Sequence, residues 1–245
     1  MSTDQSAMPL DEPADETAAH GHRDVSGGWL RPTVFGGLDG LVTNVSLISG
    51  VGGGGVSTHN VILTGLAGLV AGAFSMATGE FISVTSQNEL VEAEVDRERR
   101  ELRTNPEGER AELAQMFADR GVDPELAAKV VEQISRNPDT ALRLHAREEL
   151  GLDPDELPSP WVAAASSFLS FAVGALVPLL PYLLGAASLG LALALASVVA
   201  LAGGAVVSRL TERSMVWGAS RQFLLGAVAA GATYLVGSAL GGGAA

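Results

Sequence analysis

Long stretches of this sequence are almost free of charged residues, and they alternate with segments in which charges are frequent. The nearly uncharged stretches cover 32–85, 161–208 and 222–245. Glycine and proline divide them into pieces of about 20 residues, the length of helix that crosses roughly 30 Å of hydrocarbon. The pattern therefore predicts five transmembrane helices, at about 33–51, 60–85, 161–184, 188–207 and 223–240.

The helical pattern continues beyond residue 85 but becomes polar. The second transmembrane helix is therefore expected to extend out of the membrane until Asn105 and Pro106 interrupt it. Three shorter helices are predicted to follow, at 107–120, 124–136 and 138–150. In the third transmembrane helix, Pro178 and Pro181 should produce a kink. The predicted fold is an all-α membrane protein, with five transmembrane helices and a helical domain between the second and the third.

The chain is accordingly divided into four segments. An acidic N-terminal tail, which lacks the apolar core of a signal peptide and is expected to be disordered, precedes the first helix. Two boundaries, one at each end of the polar helical domain, then separate it from the membrane helices. The segments are 1–28 for the tail, 29–86 for helices one and two, 87–158 for the domain, and 159–245 for helices three to five.

Lysine and arginine residues all lie on one predicted side of the membrane. Two precede helix one, ten lie between helices two and three, and a basic loop of Arg209, Arg213 and Arg221 precedes helix five. Because cytoplasmic loops hold the excess of basic residues, the N-terminus and the helical domain are expected in the cytoplasm. The absence of a targeting peptide and the high alanine, glycine and arginine usage favour a bacterial inner membrane.

The overall charge and the lack of cysteine restrict the possible ligands. A net charge of -13 argues against nucleic acid as a partner, since binding a phosphate backbone requires a basic face. The chain has no cysteine, which excludes disulfides and thiolate metal sites. Carboxylate, imidazole, thioether and backbone oxygen remain as ligands, a set that suits Fe²⁺, Mn²⁺ or Ca²⁺.

Only two acidic residues lie well inside the predicted transmembrane helices, Asp39 and Glu80. A carboxylate there costs at least about 2.5 kcal/mol on insertion scales, so a functional role is expected. Met76 lies at a depth similar to that of Asp39, about 10 Å from the cytoplasmic end of its helix, and Glu80 follows one turn later. These three residues are predicted to form a translocation path. The alternative is that Asp39 is protonated and bonds a neighbouring helix while Met76 only packs.

Acidic residues in the helical domain recur at helical spacing. Two pairs of glutamates are three residues apart, and a histidine stands four residues before a glutamate with a second glutamate beside it. Like charges on one helix face repel, and a bound cation would turn the repelling groups into ligands. The alternative is a solvated acidic face. The predicted metal ligands are Glu98, Glu101, Glu109, Glu112, His145, Glu148 and Glu149.

No arrangement typical of covalent catalysis is present. His20, His22 and His59 lie in tails or loops without a nucleophile partner, and no phosphate-binding glycine loop with its lysine exists. We therefore expect no enzyme activity and no prosthetic group. Apart from transport, a membrane-anchored metal sensor or store remains open. A dinuclear iron oxidase is less compatible, because paired Glu-x-x-His motifs are missing.

Four segments of the chain resemble the vacuolar iron transporter family. Helix one contains FGGLDGLVTNVSLISGV, helix two contains GLAGLVAGAFSMATGEFISVTSQ, the domain ends with REELGL, and helix three contains SFAVGALVPLLPYLL. The resemblance extends from about residue 28 onward. It implies a homodimer with five helices per subunit, a cytoplasmic metal-binding domain between helices two and three, and proton-coupled export of ferrous iron.

The resemblance also assigns roles to residues. Asp39 and Met76 match the translocation residues of that family. Its metal-binding glutamates are matched by Glu98, Glu101, Glu109, Glu112 and Glu149. The family often has two methionines where this chain has His145 and Ala146, so thioether ligation is lost there, and imidazole also serves Mn²⁺ or Zn²⁺. The expected partners are divalent metal ions (Fe²⁺, with Mn²⁺ and Zn²⁺ as alternatives), protons, membrane lipid and a second copy of the chain.

Overall fold

The computed structural model describes residues 28–151 and 153–241, so nearly all of the predicted N-terminal tail lies outside the described residues. Within these ranges the chain forms nine α-helices, one short 3₁₀ turn and no strand. The predicted all-helical fold is confirmed. The helices are α1 Leu30–Gly53, α2 Thr58–Thr104, α3 Pro106–Asp119, α4 Pro124–Ile134, α5 Pro138–Glu149, α6 Pro160–Leu176, α7 Leu180–Leu183, α8 Leu189–Leu210 and α9 Met215–Gly241.

Five segments are long and apolar enough to cross a membrane, as the charge pattern predicted. They are α1, α2, α6 together with α7, α8 and α9. Serine side chains cap three of them: Ser57, Ser159 and Ser188 each accept a hydrogen bond from a backbone N–H in the first turn of α2, α6 and α8. The chain is therefore an integral membrane protein with five spans.

Helix α2 is continuous over 47 residues, about 70 Å at 1.5 Å per residue. The prediction that the second span continues as one helix until Asn105 and Pro106 is confirmed. The helix ends at Asn105, whose side chain accepts a hydrogen bond from the N–H of Gly108 and so caps α3, while Pro106 occupies the first position of α3. The same two residues thus end one helix and begin the next.

The third span is interrupted, as its prolines predicted. Helix α6 ends at Leu176, a 3₁₀ turn covers Val177–Leu179, and α7 completes the crossing. Pro178 lacks the N–H that a regular helix would use at this point. Nearby, the Nδ2 atom of the fully buried Asn44 donates to the backbone oxygen of Ala175 at 2.5 Å. A side chain of α1 therefore satisfies a carbonyl next to the interruption.

The fifth span begins earlier than the hydrophobic pattern predicted. Helix α9 starts at Met215, so Arg221 lies within the helix, and Arg209 lies in the last turn of α8. The predicted basic loop of three arginines is wrong, because only Arg213 lies between the helices. Arginine side chains are long enough to reach water from the end of a transmembrane helix, so a charge does not mark where the helix begins.

The spans pack through small residues. A Cβ atom added to Gly174 would lie 1.9 Å from the Gly37 oxygen, and one added to Gly40 would lie 2.2 Å from the Phe171 oxygen. The backbones of α1 and α6 are therefore in direct contact, as glycine allows in membrane helices. This pair forms the centre of the bundle, and α2 packs against it with only one face.

Helix α9 contacts different neighbours at its two ends. On the side away from residues 87–158, a Cβ on Gly237 would lie 1.7 Å from the Gly50 oxygen of α1. On the side near the helical domain, α9 instead approaches α8, where a Cβ on Gly204 would lie 2.4 Å from the Gly218 oxygen. Two cavities lie between α1, α8 and α9, one of about 640 Å³ at the domain end and one of about 570 Å³ farther along the helices.

Candidate metal centre

Four potential metal ligands from three helices meet in the helical domain. Glu98 lies on α2, Glu109 on α3, and His145 and Glu149 on α5, and one ligand atom from each lies within 4.8 Å of all the others. The Nδ1 atom of His145 is 3.1 Å from Glu98 Oε1, 3.6 Å from Glu149 Oε1 and 4.0 Å from Glu109 Oε2. The histidine is 1% exposed, and Glu98 and Glu109 are also buried, whereas Glu149 is exposed.

Local structure places each of these side chains. An apolar cluster of Val91, Val95, Leu142 and Ala146 holds α5 against the extension of α2. His145 and Glu149 are one helical turn apart and share a face of α5. The cap at Asn105 turns α3 back so that Glu109, in its first turn, faces the same space. Residues widely separated in sequence are thus brought together by one turn and one apolar contact.

Burial and mutual repulsion destabilise the ionised carboxylates. Burial, together with the negative charges of Glu149, Glu109 and Glu101, raises the pKa of Glu98 to about 8. Burial also raises the pKa of Glu109, although His145 opposes that shift. Glu98 Oε1 and His145 Nδ1 are close, but in the described part of the chain neither buried atom makes a hydrogen bond.

Three carboxylate oxygens and one imidazole nitrogen suit a divalent first-row cation. Such a donor set without sulfur fits Fe²⁺, Mn²⁺ or Zn²⁺. A cation between these groups would replace repulsion by attraction and would occupy the two atoms that lack hydrogen bonds. The arrangement can therefore exchange bound protons for a metal ion.

The other three predicted domain ligands lie at the edge of this cluster. The Glu101 carboxylate, about half exposed, is 3.8 Å from Arg97 Nε. Glu112 is exposed on α3, near enough to contribute to the raised pKa of Glu109. Glu148 forms an ion pair with Arg120. The structure thus brings four of the seven predicted residues together.

Sequence spacing missed an open cavity beside the cluster. It has a volume of about 460 Å³ and is lined by Met116, Asp119, Arg120, Glu148 and Glu149. Because Glu149 belongs to both the cavity and the buried cluster, the cavity connects the cluster to solvent. The cavity depends on contact between the end of α3 and the end of α5, which no local spacing reveals.

The predicted path residues lie on two different surfaces of the membrane bundle. Asp39 lines a cavity of about 640 Å³ between α1, α8 and α9. Met76 packs beside Ala73 and Phe171, where α2 meets α6. Glu80 is half-buried one turn after Met76 on α2. Within one chain, Met76 therefore does not line the cavity that contains Asp39.

This chain is similar in sequence to proteins named as vacuolar iron transporters. The model of the VIT family matches residues 30–238. The vacuolar iron transporter of Acanthamoeba castellanii is 36% identical over 233 residues, which cover 92% of this chain and 84% of the relative. Vacuolar iron transporter 1 of Oryza sativa subsp. japonica is 31% identical and covers 95% of both chains. Vacuolar iron transporter homolog 1 of the same plant is 35% identical over 88% of this chain and 82% of its own length.

Proposed function

This chain belongs to the VIT family, and we propose that it exports Fe²⁺, and also Mn²⁺, from the cytoplasm in exchange for protons. The relatives are named as iron transporters, so the substrate class is a divalent metal ion. The observation that carries the proposal is the cluster of three carboxylates and one imidazole, of which three members are buried. One of its members, Glu98, lies on the extension of α2, the same helix that crosses the membrane.

The helical domain captures the cation in this proposal. Glu98, Glu109, His145 and Glu149 bind it, and the proton that Glu98 holds in the empty state, because its pKa is raised to about 8, is released. The open cavity beside Glu149 provides the entrance from water. No prosthetic group takes part, and the metal ion is the substrate.

The membrane part then passes the cation across. Asp39 is the carboxylate that binds either a proton or the cation, which couples the two movements. Met76 and Glu80 supply a thioether and a second carboxylate along α2. We include a homodimer in the proposal. Much of the α2 span is uncovered within one chain, where Phe74 is 61% exposed, and a second copy and membrane lipid would cover it.

The proposed orientation follows the basic residues. With the helical domain in the cytoplasm, all lysine and arginine residues of the loops lie on the cytoplasmic side. The relatives are named for the vacuole. A bacterial inner membrane for this chain rests on composition and stays a prediction.

The test is transport in sealed proteoliposomes that enclose a metal dye and a pH dye. Wild type should carry Fe²⁺ and Mn²⁺ in one direction while protons move in the other, and Asp39→Ala should abolish both movements. Asp139→Ala, which changes an exposed aspartate of α5, serves as the matched control and should transport normally. If the purified protein binds metal that never crosses the membrane, the chain is a sensor or a store and the proposal is wrong.

A further inference from the structure

The cavity beside Asp39 has a defined structural origin. Helix α9 contacts α1 at Gly50 and Gly237 on the far side, and contacts α8 at Gly204 and Gly218 on the domain side. The space left between α1 and α9 is about 640 Å³ in volume. Its lining includes residues from the first turns of α1 and the last turns of α8, so the cavity lies at the domain end of the bundle.

Most of the cavity wall is apolar, which makes its polar residues informative. Asp39 and Gln222 lie along the wall, while Arg31 and Thr211 lie near the helix ends. The Thr211 hydroxyl donates within its own helix, toward the Val207 oxygen at 3.0 Å. Asp39 and Gln222 remain as the polar residues that line the cavity within the spans.

Helix packing fixes the position of Gln222. A Cβ atom on Gly204 would lie 2.9 Å from the Gln222 Cβ, so the stem of the glutamine packs directly on α8. On α1, Leu38 packs toward Gly203 and Val42 lies 3.7 Å from the position of a Cβ on Gly226. Asp39, next to Leu38 on α1, lines the same cavity that Gln222 lines from α9.

We propose that this cavity is the domain-side vestibule of the translocation path, and that Gln222 binds the transported cation together with Asp39. This inference rests on the proposed function. A divalent cation that leaves water needs several oxygen ligands, and an amide oxygen supplies one without adding a charge. Asp39 therefore remains the only group of the pair that exchanges a proton for the metal.

The same lining argues against an anionic lipid headgroup as the occupant. Arg31 alone would attract a phosphate, but Asp39 in the same cavity repels one. Arg31 lies eight residues from Asp39 along α1, about 12 Å at 1.5 Å per residue, so its charge stays near the mouth. The inner part of the cavity thus presents a negative charge and a neutral amide, which favours a cation.

The absence of native cysteine allows a direct test by thiol labelling. The Gln222→Cys variant of the full-length chain is reconstituted in sealed proteoliposomes. A charged, membrane-impermeant thiol reagent is then applied from the domain side. We expect rapid labelling that Mn²⁺ slows at least about tenfold, since a bound cation blocks the cavity. The matched control is Leu224→Cys, two residues later on α9, which is 58% exposed and does not line the cavity. It should be labelled slowly, with no effect of Mn²⁺.

A transport measurement completes the test. Gln222→Leu should raise the KM for Mn²⁺ about tenfold or more, because it removes an interaction made with the bound cation. Gln222→Glu, which keeps an oxygen ligand, should retain transport with a changed pH profile. A Gln222→Leu variant that transports like wild type overturns the inference.

The possible outcomes separate the two proposals. If wild type transports but Gln222→Cys is unlabelled, or is labelled without protection by Mn²⁺, the vestibule inference is wrong and the proposed function stands. Labelling that anionic lipid blocks and Mn²⁺ does not would identify a lipid site instead and overturn the inference. If Mn²⁺ protects Gln222→Cys while wild type fails to transport, the cation site is supported and the proposed function is wrong.

Discussion

Replacing Glu98 by glutamine should make the stability of the helical domain less dependent on pH, because the variant has one titrating group fewer. Glu98 is 5% exposed and its pKa is raised from 4.5 to about 8. The folded, metal-free domain therefore keeps this proton at pH 7, whereas the unfolded chain has released it. The resulting loss of stability between pH 4.5 and 7 is about 3 kcal/mol, at 1.36 kcal/mol per pKa unit.

The direction of this effect follows from the raised pKa. The stabilising contribution is complete below pH 4.5 and is lost as the pH rises through about 8. The glutamine side chain cannot ionise, so the Glu98→Gln variant should lose less stability over this interval. A bound cation displaces the proton, so Mn²⁺ should reverse the slope in wild type and have little effect in the variant.

Hydrogen exchange at the backbone amides of α5 measures this stability locally in the full-length, detergent-solubilised protein. Exchange would be followed from about pH 5 to about pH 8 with a chelator and with Mn²⁺. Glu132→Gln is the control, because Glu132 is an exposed acid on α4 that pairs only weakly with Arg136. If wild type and Glu98→Gln show the same slope with chelator, the proton is not held by Glu98. If Mn²⁺ leaves the wild-type slope unchanged, the cluster is not the metal site.

Three further predictions test other features. His145→Met should weaken Mn²⁺ binding about tenfold in a competition titration and remove nitrogen coupling from the spectrum of bound Mn²⁺; coupling that persists would show that the imidazole is no ligand. Asn44→Leu leaves the Ala175 oxygen without its donor and should cost about 1–3 kcal/mol, seen as a lower Tm, whereas an unchanged Tm would show that the bond contributes little. Gly174→Leu should prevent close contact of α1 and α6 and reduce the folded yield. Gly79→Leu should fold normally, because a Cβ atom added to Gly79 would have no neighbouring atom within 4 Å. Equal yields would contradict the packing argument.

The number and order of the spans could be predicted from the sequence because they depend on length and polarity alone. A span needs about 20 apolar residues, and breaks such as Pro106 or Pro178 act locally. The start of α9 was missed because Arg221 is tolerated inside a helix end, which composition does not reveal. These errors of boundary left the number and order of the spans unaffected.

The candidate site was predictable only in part, for a physical reason. Helical spacing identifies residues that share a face, and it placed His145 and Glu149 together on α5. It does not identify which faces of different helices meet, so it could not show that Glu98, Glu109 and His145, on three helices, lie in one cluster. For the same reason the sequence paired Asp39 with Met76 by depth, whereas within one chain Met76 does not line the cavity that contains Asp39.

Because α2 is continuous, the orientation of the helical domain about the α2 axis is coupled to the orientation of the membrane span. Met76 and Glu98 are separated by 22 residues of one helix, about 33 Å, with no break between them. One residue inserted at the exposed positions 86–87 would rotate the metal cluster by about 100° relative to Met76 and move it by only about 1.5 Å. Seven inserted residues would make almost two full turns, restoring the orientation while adding about 10 Å. Rotational phase and distance can thus be varied separately in this molecule, which would reveal whether metal transfer into the membrane depends on the direction that the cluster faces or on how far away it is.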